Sequence, residues 1–143
     1  MEGKGKRMIG FDNWFTVENV FGNEFCFSDA EIINIVANGL RGELILELQV
    51  SDLVKMPPKK WGKWDLVYIK ICFFGVKEIS MFANHDHIHI KQFLVKKSEK
   101  DFQYELEISC GENYINCNYA IARIRNIKPL VWDDNFHYYV VPE

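Results

Sequence analysis

From residue 30 onward the sequence is a succession of short runs of apolar and β-branched residues separated by turn-forming residues. The stretches between these runs have no helical pattern of useful length. Parallel strands need a crossover connection of about a dozen residues or more, whereas antiparallel strands are joined by short turns. The spacing of the runs therefore predicts strands that follow one another in an antiparallel meander.

Two runs carry the clearest strand signals. In Glu43–Val50 the leucines and Val50 alternate with Glu43, Ile45, Glu47 and Gln49, which places the two sets on opposite faces of a strand. Leu66–Phe74 is apolar on both faces in places, as expected for a central strand. The pair Asn38-Gly39, just before the first of these runs, is a hairpin signal.

The same pattern predicts further strands along the chain. Residues 88–96 are expected to form one strand with Ile88, Ile90 and Leu94 on one face, and residues 114–127 another that Pro129 ends. Residues 51–64 are predicted to be a loop because they contain two consecutive prolines. The other predicted strands are residues 30–37, 76–82 (pairing back across Gly75) and 102–110, with a short last strand in the aromatic tail.

One helix is predicted, within Ile9–Gly22, where aromatic residues recur at roughly helical spacing before the stop signal Gly22-Asn23. The predicted fold class is α+β: one large bent antiparallel sheet of about seven or eight strands, of the half-barrel kind, covered by this N-terminal helix. The length of 143 residues suits a single domain spanning 1–143, with residues 1–8 as a flexible N-terminus.

The composition excludes several classes of protein. With 20 acidic and 17 basic residues the net charge is −3, which argues against general nucleic-acid binding. No apolar run approaches the ~18–20 residues of a membrane span, and the basic N-terminus lacks the apolar segment of a secretory signal. We therefore expect a cytoplasmic protein without membrane contact. The four cysteines form no CxxC pair and are expected to be reduced and buried.

The segment His85-Asp86-His87-Ile88-His89-Ile90 raises the question of a metal site. On a strand the three histidines would share a face and, with a carboxylate, suit zinc or iron. The segment is more typical of a turn entering a strand whose histidines face solvent, and no further ligand lies at a motif distance. We predict no metal and no cofactor. A metal-dependent enzyme using His85, His87 and His89 is the alternative.

Two other groups of residues are candidates for binding a partner. Four outward glutamates form an acidic stripe if their strands are neighbours, and such a stripe steers a basic partner; otherwise they serve solubility. Lys59–Trp64 interleaves basic and aromatic residues, which suits a small nucleic-acid or ligand-binding module. The alternative is that its tryptophans fold back over the sheet edge. The candidate partner-binding residues are Glu43, Glu47, Glu105, Glu107, Trp61 and Trp64.

Three phrases of the sequence together resemble one protein family. They are "NWF…FGNEFCFSDAEIINI" within residues 13–35, "FFGVKEISMFANHDHI" at residues 73–88 and "CGENYINCNYAIARIRNIKP" at residues 110–129. The family is Immunity protein 50, small bacterial proteins that are thought to neutralise toxin domains of polymorphic toxin systems. The histidines stand where this family carries ordinary polar residues, so the resemblance does not support a metal site.

The resemblance implies an immunity protein with no catalytic residues, and the sequence contains no GxSxG, Walker or GxGxxG motif. On this basis we expect a non-enzymatic protein that binds a cognate toxin domain and blocks its active or substrate-binding surface. The partner is then a protein and not a nucleic acid.

Overall fold

The computed structural model describes residues 8–51, 54–84, 88–99 and 103–142. These residues form one short helix and ten strands arranged in two antiparallel sheets. The helix α1 spans Phe15–Phe21, and a single 3-10 turn spans Lys59–Trp61. The strands are β1 Glu31–Asn38, β2 Glu43–Val50, β3 Leu66–Phe74, β4 Lys77–Phe82, β5 Ile88–His89, β6 Gln92–Lys97, β7 Tyr104–Cys110, β8 Asn113–Tyr119, β9 Ile121–Asp133 and β10 Tyr138–Val140.

The first sheet has the strand order β10-β9-β3-β2-β1-β5, and the second has the order β4-β8-β7-β6. The chain changes sheet from β3 to β4, from β4 to β5, from β5 to β6 and from β8 to β9, and the whole curls into a half-barrel. The predicted α+β class with a bent antiparallel sheet is confirmed, and the predicted strands Glu43–Val50 and Leu66–Phe74 have the bounds of β2 and β3. The last short strand in the tail is β10.

One corner between the sheets lies at Gly75 and Ala120. There β3 continues into β4 while β8 continues into β9, and the Ala120 amide donates to the Phe74 carbonyl at 2.8 Å. Residues 76–82 therefore do not pair back on β3, as the sequence suggested, but pair with β8 in the second sheet. The single strand predicted over residues 114–127 is likewise two strands. A change of sheet leaves the apolar alternation intact on both sides, so the sequence pattern does not reveal it.

A second crossing occurs at Ile90 and Lys91. The Ile90 amide donates to the Ala30 carbonyl beside the first sheet, whereas the next amide, of Lys91, donates to the Ser109 carbonyl of the second sheet, both at 2.8 Å. This crossing divides the predicted strand 88–96 into β5 and β6 and shifts which residues face inward. Phe93 is buried with 7% exposure, and Leu94, predicted to face the same way as Ile90, is 45% exposed.

Pro129 does not end the last long strand, contrary to the prediction, but lies inside β9 opposite Val67. The carbonyl of the next residue, Leu130, accepts a hydrogen bond from the Asp65 amide on the β3 side. Because the backbone polar groups of consecutive strand residues point to opposite sides, the Pro129 nitrogen points toward the β10 side. The pairing with β10 reaches only Val131. The missing N–H of the proline therefore faces the open edge of the strand, where no ladder hydrogen bond is lost.

The helix is shorter than predicted because the residues before it run along β9. Phe11 forms a parallel bridge with Ala122, and the Asn13 side chain both donates to the Ile124 carbonyl and accepts from the Ile124 amide, at 2.8 Å each. These contacts satisfy the backbone amide and carbonyl of Ile124 in β9. They also prevent the helix from starting nearer to the N-terminus. The helix then buries Val17, Val20 and Phe21 against the sheets.

The core lies between the inner faces of the two sheets and is closed at one side by α1. The alternation read from β2 is confirmed, since Leu44, Leu46 and Leu48 are fully buried. The second sheet contributes Leu106 and Ile108 from β7 in the same way. One continuous cluster of buried side chains joins both sheets, so substitutions on either inner face act on the same core.

Replacing Gly75 by alanine is expected to destabilise the fold by about 2–4 kcal/mol. Its φ of +68° costs an L-residue about 1–2 kcal/mol, and a Cβ there would lie 2.8 Å from the Ala120 Cβ at the corner between the sheets. Gly111→Ala is the matched control, because Gly111 has a φ of +74° and its Cβ would meet no described atom within 4 Å. Urea unfolding of both variants separates the cost of the positive φ, which both share, from the cost of the contact with Ala120, which only Gly75→Ala has. Equal losses would exclude the contact with Ala120.

Candidate functional site

The four glutamates predicted to form an acidic stripe lie on two different sheets. Glu43 and Glu47 are on β2 in the first sheet, and Glu105 and Glu107 are on β7 in the second. The condition for one continuous stripe, that their strands are neighbours, is not met. All four do alternate with buried residues and lie on the outer faces, as the alternation predicted. They form two separate acidic pairs.

The pair on β2 is held by neighbouring side chains. A Glu47 carboxylate oxygen accepts from the Tyr68 hydroxyl at 2.8 Å, and the other accepts from the Asn34 amide at 3.2 Å. Burial and then this hydrogen bond raise the pKa of Tyr68 above its ordinary value, so the phenol keeps its proton and donates it throughout the neutral range. Glu43 lies 4.0 Å from the Arg41 guanidinium. Both carboxylates are thus part of the surface network of the first sheet.

The pair on β7 shares one cation. The Lys96 ammonium lies 3.7 Å from a Glu105 oxygen and 3.4 Å from a Glu107 oxygen. On the neighbouring strand β8, Asn118 stands opposite Glu105, and its side-chain amide donates to Glu78 of β4 at 2.9 Å. The outer face of the second sheet therefore carries two carboxylates that share one lysine, beside the exposed apolar side chains of Leu94, Phe82 and Tyr114. Its charge suits long-range attraction of a basic partner more than a buried contact.

The loop containing Lys59–Trp64 folds back onto the protein. Trp61 is buried, with 7% exposure, and its ring meets that of Trp64 edge-on at 5.5 Å between centroids. Trp64 is half-buried at the margin of the core. This is the alternative that the sequence left open, in which the tryptophans cover the sheet edge and the lysines stay hydrated. The loop presents part of Trp64 to solvent and keeps Trp61 inside.

Of the histidine segment only Ile88, His89 and Ile90 belong to the described residues; His85, Asp86 and His87 lie outside them. His89 is at the edge of the first sheet in β5, opposite Glu31, with 4.0 Å between its Nε2 and a Glu31 oxygen. Within the described part of the chain, no three His, Cys, Asp or Glu side chains come together as metal ligands. The predicted strand position of His89 is correct.

The cysteines differ in exposure. Cys72, Cys110 and Cys117 are buried, as predicted, whereas Cys26 is exposed between the helix and β1. Burial raises the pKa of all three buried thiols, that of Cys117 to about 11, so these remain protonated at neutral pH. All four are free thiols. The error at Cys26 has a simple origin, since its neighbours Phe25 and Phe27 pack inward and leave the thiol at the surface.

The C-terminal hairpin formed by β9 and β10 is a surface that was not predicted from the sequence as a binding site. Trp132, Phe136 and Tyr138 of this hairpin are 45%, 64% and 55% exposed. Asp133 is the last residue of β9, and Asp134 begins the turn between the strands. The available signal was the density of aromatic residues in a tail that also carries consecutive aspartates, because such a short strand cannot bury so many rings.

Among the described residues no helix is long and apolar enough to cross a membrane.

Comparison with known proteins gives one match. Residues 13–130, well over half of the chain, match the family model described as Immunity protein 50. No match was found among curated proteins or among solved structures. The match confirms the resemblance drawn from the three sequence phrases, and it ends before the aromatic turn of the C-terminal hairpin.

Proposed function

The chain belongs to the Immunity protein 50 family, and from this premise we propose that it is a non-enzymatic immunity protein of the bacterial cytoplasm. In this role it binds a cognate toxin domain and blocks the active or substrate-binding surface of that domain. Membership of the family is the observation that carries the proposal. The mechanism is steric and electrostatic, so it needs a rigid complementary surface and no reacting group.

The rigid surface is supplied by the two sheets, whose inner faces share one packed core. Sheet faces and edges anchored in this way hold their side chains in place before binding, which lowers the entropic cost of association. Protein interfaces draw most of their affinity from a few aromatic and charged anchors. The half-buried Trp64 and the acidic pairs on the outer faces are of these types.

We assign the six candidate residues two different roles. Glu43, Glu47, Glu105 and Glu107 attract a basic toxin surface over distance, because each pair already has local partners that lower its value as a direct contact. Trp64 contacts the toxin directly, and Trp61, buried against it, holds it in position. The acidic excess of the whole chain acts in the same direction as the four glutamates.

Co-expression tests the proposed function. The C-terminal domain encoded by the neighbouring gene is placed under tight induction with and without this protein, and surviving cells are counted. We expect the domain to be toxic alone, survival to be restored by this protein, and the two chains to co-purify as a stable complex. A toxic domain that kills equally in the presence of the folded protein contradicts immunity within this pair.

Charge reversal tests the role of the glutamates. The double variant Glu105→Lys with Glu107→Lys is expected to slow association with the toxin domain on the order of tenfold at low salt, since the reversed charges repel a basic surface. The loss should fade as salt approaches about 0.5 M, where the Debye length is about 4 Å and exposed charges farther apart than this are largely screened. Stopped-flow association rates provide the measurement. Glu105→Gln with Glu107→Gln is the isosteric control, and a dissociation rate that rises instead would make these residues direct contacts.

A further inference from the structure

We propose that the C-terminal hairpin of β9 and β10 is the docking surface for a basic, extended segment of the partner, whose arginine side chains it binds. The inference rests on the proposed function in that it assigns this segment to the toxin domain. It goes further by naming a surface that lies mostly beyond the matched residues 13–130 and by stating the chemistry of its occupant.

The hairpin exposes two pairs of aromatic rings. Trp132 and Tyr139 are cross-strand partners with ring centroids 5.2 Å apart, and Phe136 and Tyr138 form a second pair with centroids 5.7 Å apart. Because Tyr138 and Tyr139 are consecutive in β10, the two pairs lie on opposite faces of the hairpin. Three of these four rings are about half exposed or more, although aromatic side chains of this size are normally buried when a core is within reach. An exposed cluster of Trp, Tyr and Phe has the composition of an interface centre.

Carboxylates surround these rings. The Trp132 indole donates to Asp134 and its backbone amide donates to Asp65, both at 2.8 Å. Asp133 accepts from the amides of Asn135 and Phe136 through one oxygen. Within the described part of the chain, none of these three aspartates forms an ion pair with a lysine or arginine. The rings therefore sit in a negative local field that the protein itself does not neutralise.

Arginine is the side chain that fits both features. Its planar guanidinium stacks on aromatic faces and at the same time donates to carboxylate oxygens, which a compact ammonium does less well. Asp133 uses one oxygen for the amides of the turn and Asp134 uses one for the Trp132 indole, so each carboxylate keeps its second oxygen for an outside donor. The hairpin thus offers both features that a guanidinium binds, exposed aromatic rings and carboxylate acceptors.

The edge of the hairpin sets the shape of the occupant. In the first sheet β10 is the outermost strand, bonded to β9 on one side only among the described residues. An extended segment can add to such an edge through its backbone and place alternate side chains over the rings. Beyond Val141 the edge leads into a groove lined by Lys60, Trp61 and Lys128. Because the two lysines of this groove repel positive charge, the arginines of the segment lie at the turn end of the hairpin.

Two measurements on the full-length protein test the proposal. The first is the affinity for the neighbouring toxin domain of wild type, of Phe136→Ser with Tyr138→Ser, and of Asp134→Asn, which keeps an acceptor for the Trp132 indole. Phe15→Ser and Leu40→Ser are matched controls, because these side chains are 47% and 99% exposed elsewhere on the molecule. We expect the double variant to bind at least 30-fold more weakly, Asp134→Asn several-fold more weakly, and the controls to bind as wild type does.

The second measurement uses a peptide in place of the toxin. The probe is the acetylated peptide Arg-Leu-Arg-Leu-Arg, added to the isotopically labelled protein and followed by amide chemical shifts, with its lysine and glutamate counterparts for comparison. We expect saturable shifts confined to residues 131–142 with the arginine peptide, weaker ones with lysine and none with glutamate. The shifts should vanish in the serine double variant, whose unfolding midpoint is measured alongside to show that it is folded.

The outcomes separate this inference from the proposed function. A toxin domain that binds wild type and the folded double variant equally well overturns the hairpin surface and leaves immunity standing. A toxin domain that does not bind at all, together with peptide shifts at the hairpin, overturns immunity for that pair and supports a surface for another basic protein. Absence of both kinds of binding, or shifts located elsewhere, overturns the hairpin surface.

Discussion

Phe73→Ala is expected to lower the free energy of unfolding by about 3–5 kcal/mol, enough to leave much of the protein unfolded at 37 °C. Phe73 is fully buried in β3 at the centre of the first sheet. Its ring meets Tyr119 of β8 edge-on at 5.0 Å between centroids and Phe11 at 6.1 Å. The side chain therefore joins both sheets and the segment before the helix, and its removal leaves a cavity that none of them fills alone.

The next residue in the chain provides the control for this variant. Phe74 is half-buried on the outer face of the same strand, so Phe74→Ala should cost about 1 kcal/mol or less. Chemical denaturation of the two variants, followed by tryptophan fluorescence and by circular dichroism, measures the difference. Similar losses for the two phenylalanines would mean that the first sheet is packed on both faces, and the assignment of an inner and an outer face would be wrong.

Local patterns predicted the strands well because a strand that is buried on one face must alternate. The bounds of β2 and β3, the buried leucines of β2 and the hairpin after Asn38 all follow from residues within eight positions of one another. The changes of sheet at Ile90 and Ala120 follow from no such pattern. They depend on which distant strand supplies the next hydrogen bond, and that choice is made by packing across the core.

The arrangement of the candidate residues in the fold was predicted less well, for a related reason. Glu47 and Glu105 were correctly placed on outer faces, but whether two outer faces join into one surface depends on sheet order, which alternation does not encode. Trp61 has the composition of a surface anchor and is nevertheless buried, because the loop after the two prolines turns back over the sheet edge. Exposure of the C-terminal rings follows from the shortness of β10, and the sign of it in the sequence is the density of aromatic residues in the tail.

Trp61→Ala is expected to lower the free energy of unfolding by about 3 kcal/mol, near the lower end of the range for tryptophan because the side chain lies at the margin of the core. The loss comes from the buried indole area and from the edge-on contact with Trp64. Lys60→Ala, one residue earlier and exposed, should change stability by less than about 0.5 kcal/mol. Thermal and urea unfolding of the three proteins measure this difference.

The same variant also decides how Trp61 acts on the toxin domain. If the Trp61 side chain only positions Trp64, then Trp61→Ala weakens toxin binding no more than Trp64→Ala does. The double variant then binds the toxin domain as tightly as Trp64→Ala alone. Affinities are measured well below the unfolding midpoint of the least stable variant, so that only folded protein is compared. Losses that add in the double variant would show that the toxin reaches the Trp61 indole itself, which requires the loop to open on binding. In that case the loop, and not the sheet behind it, is the element that adapts to the partner.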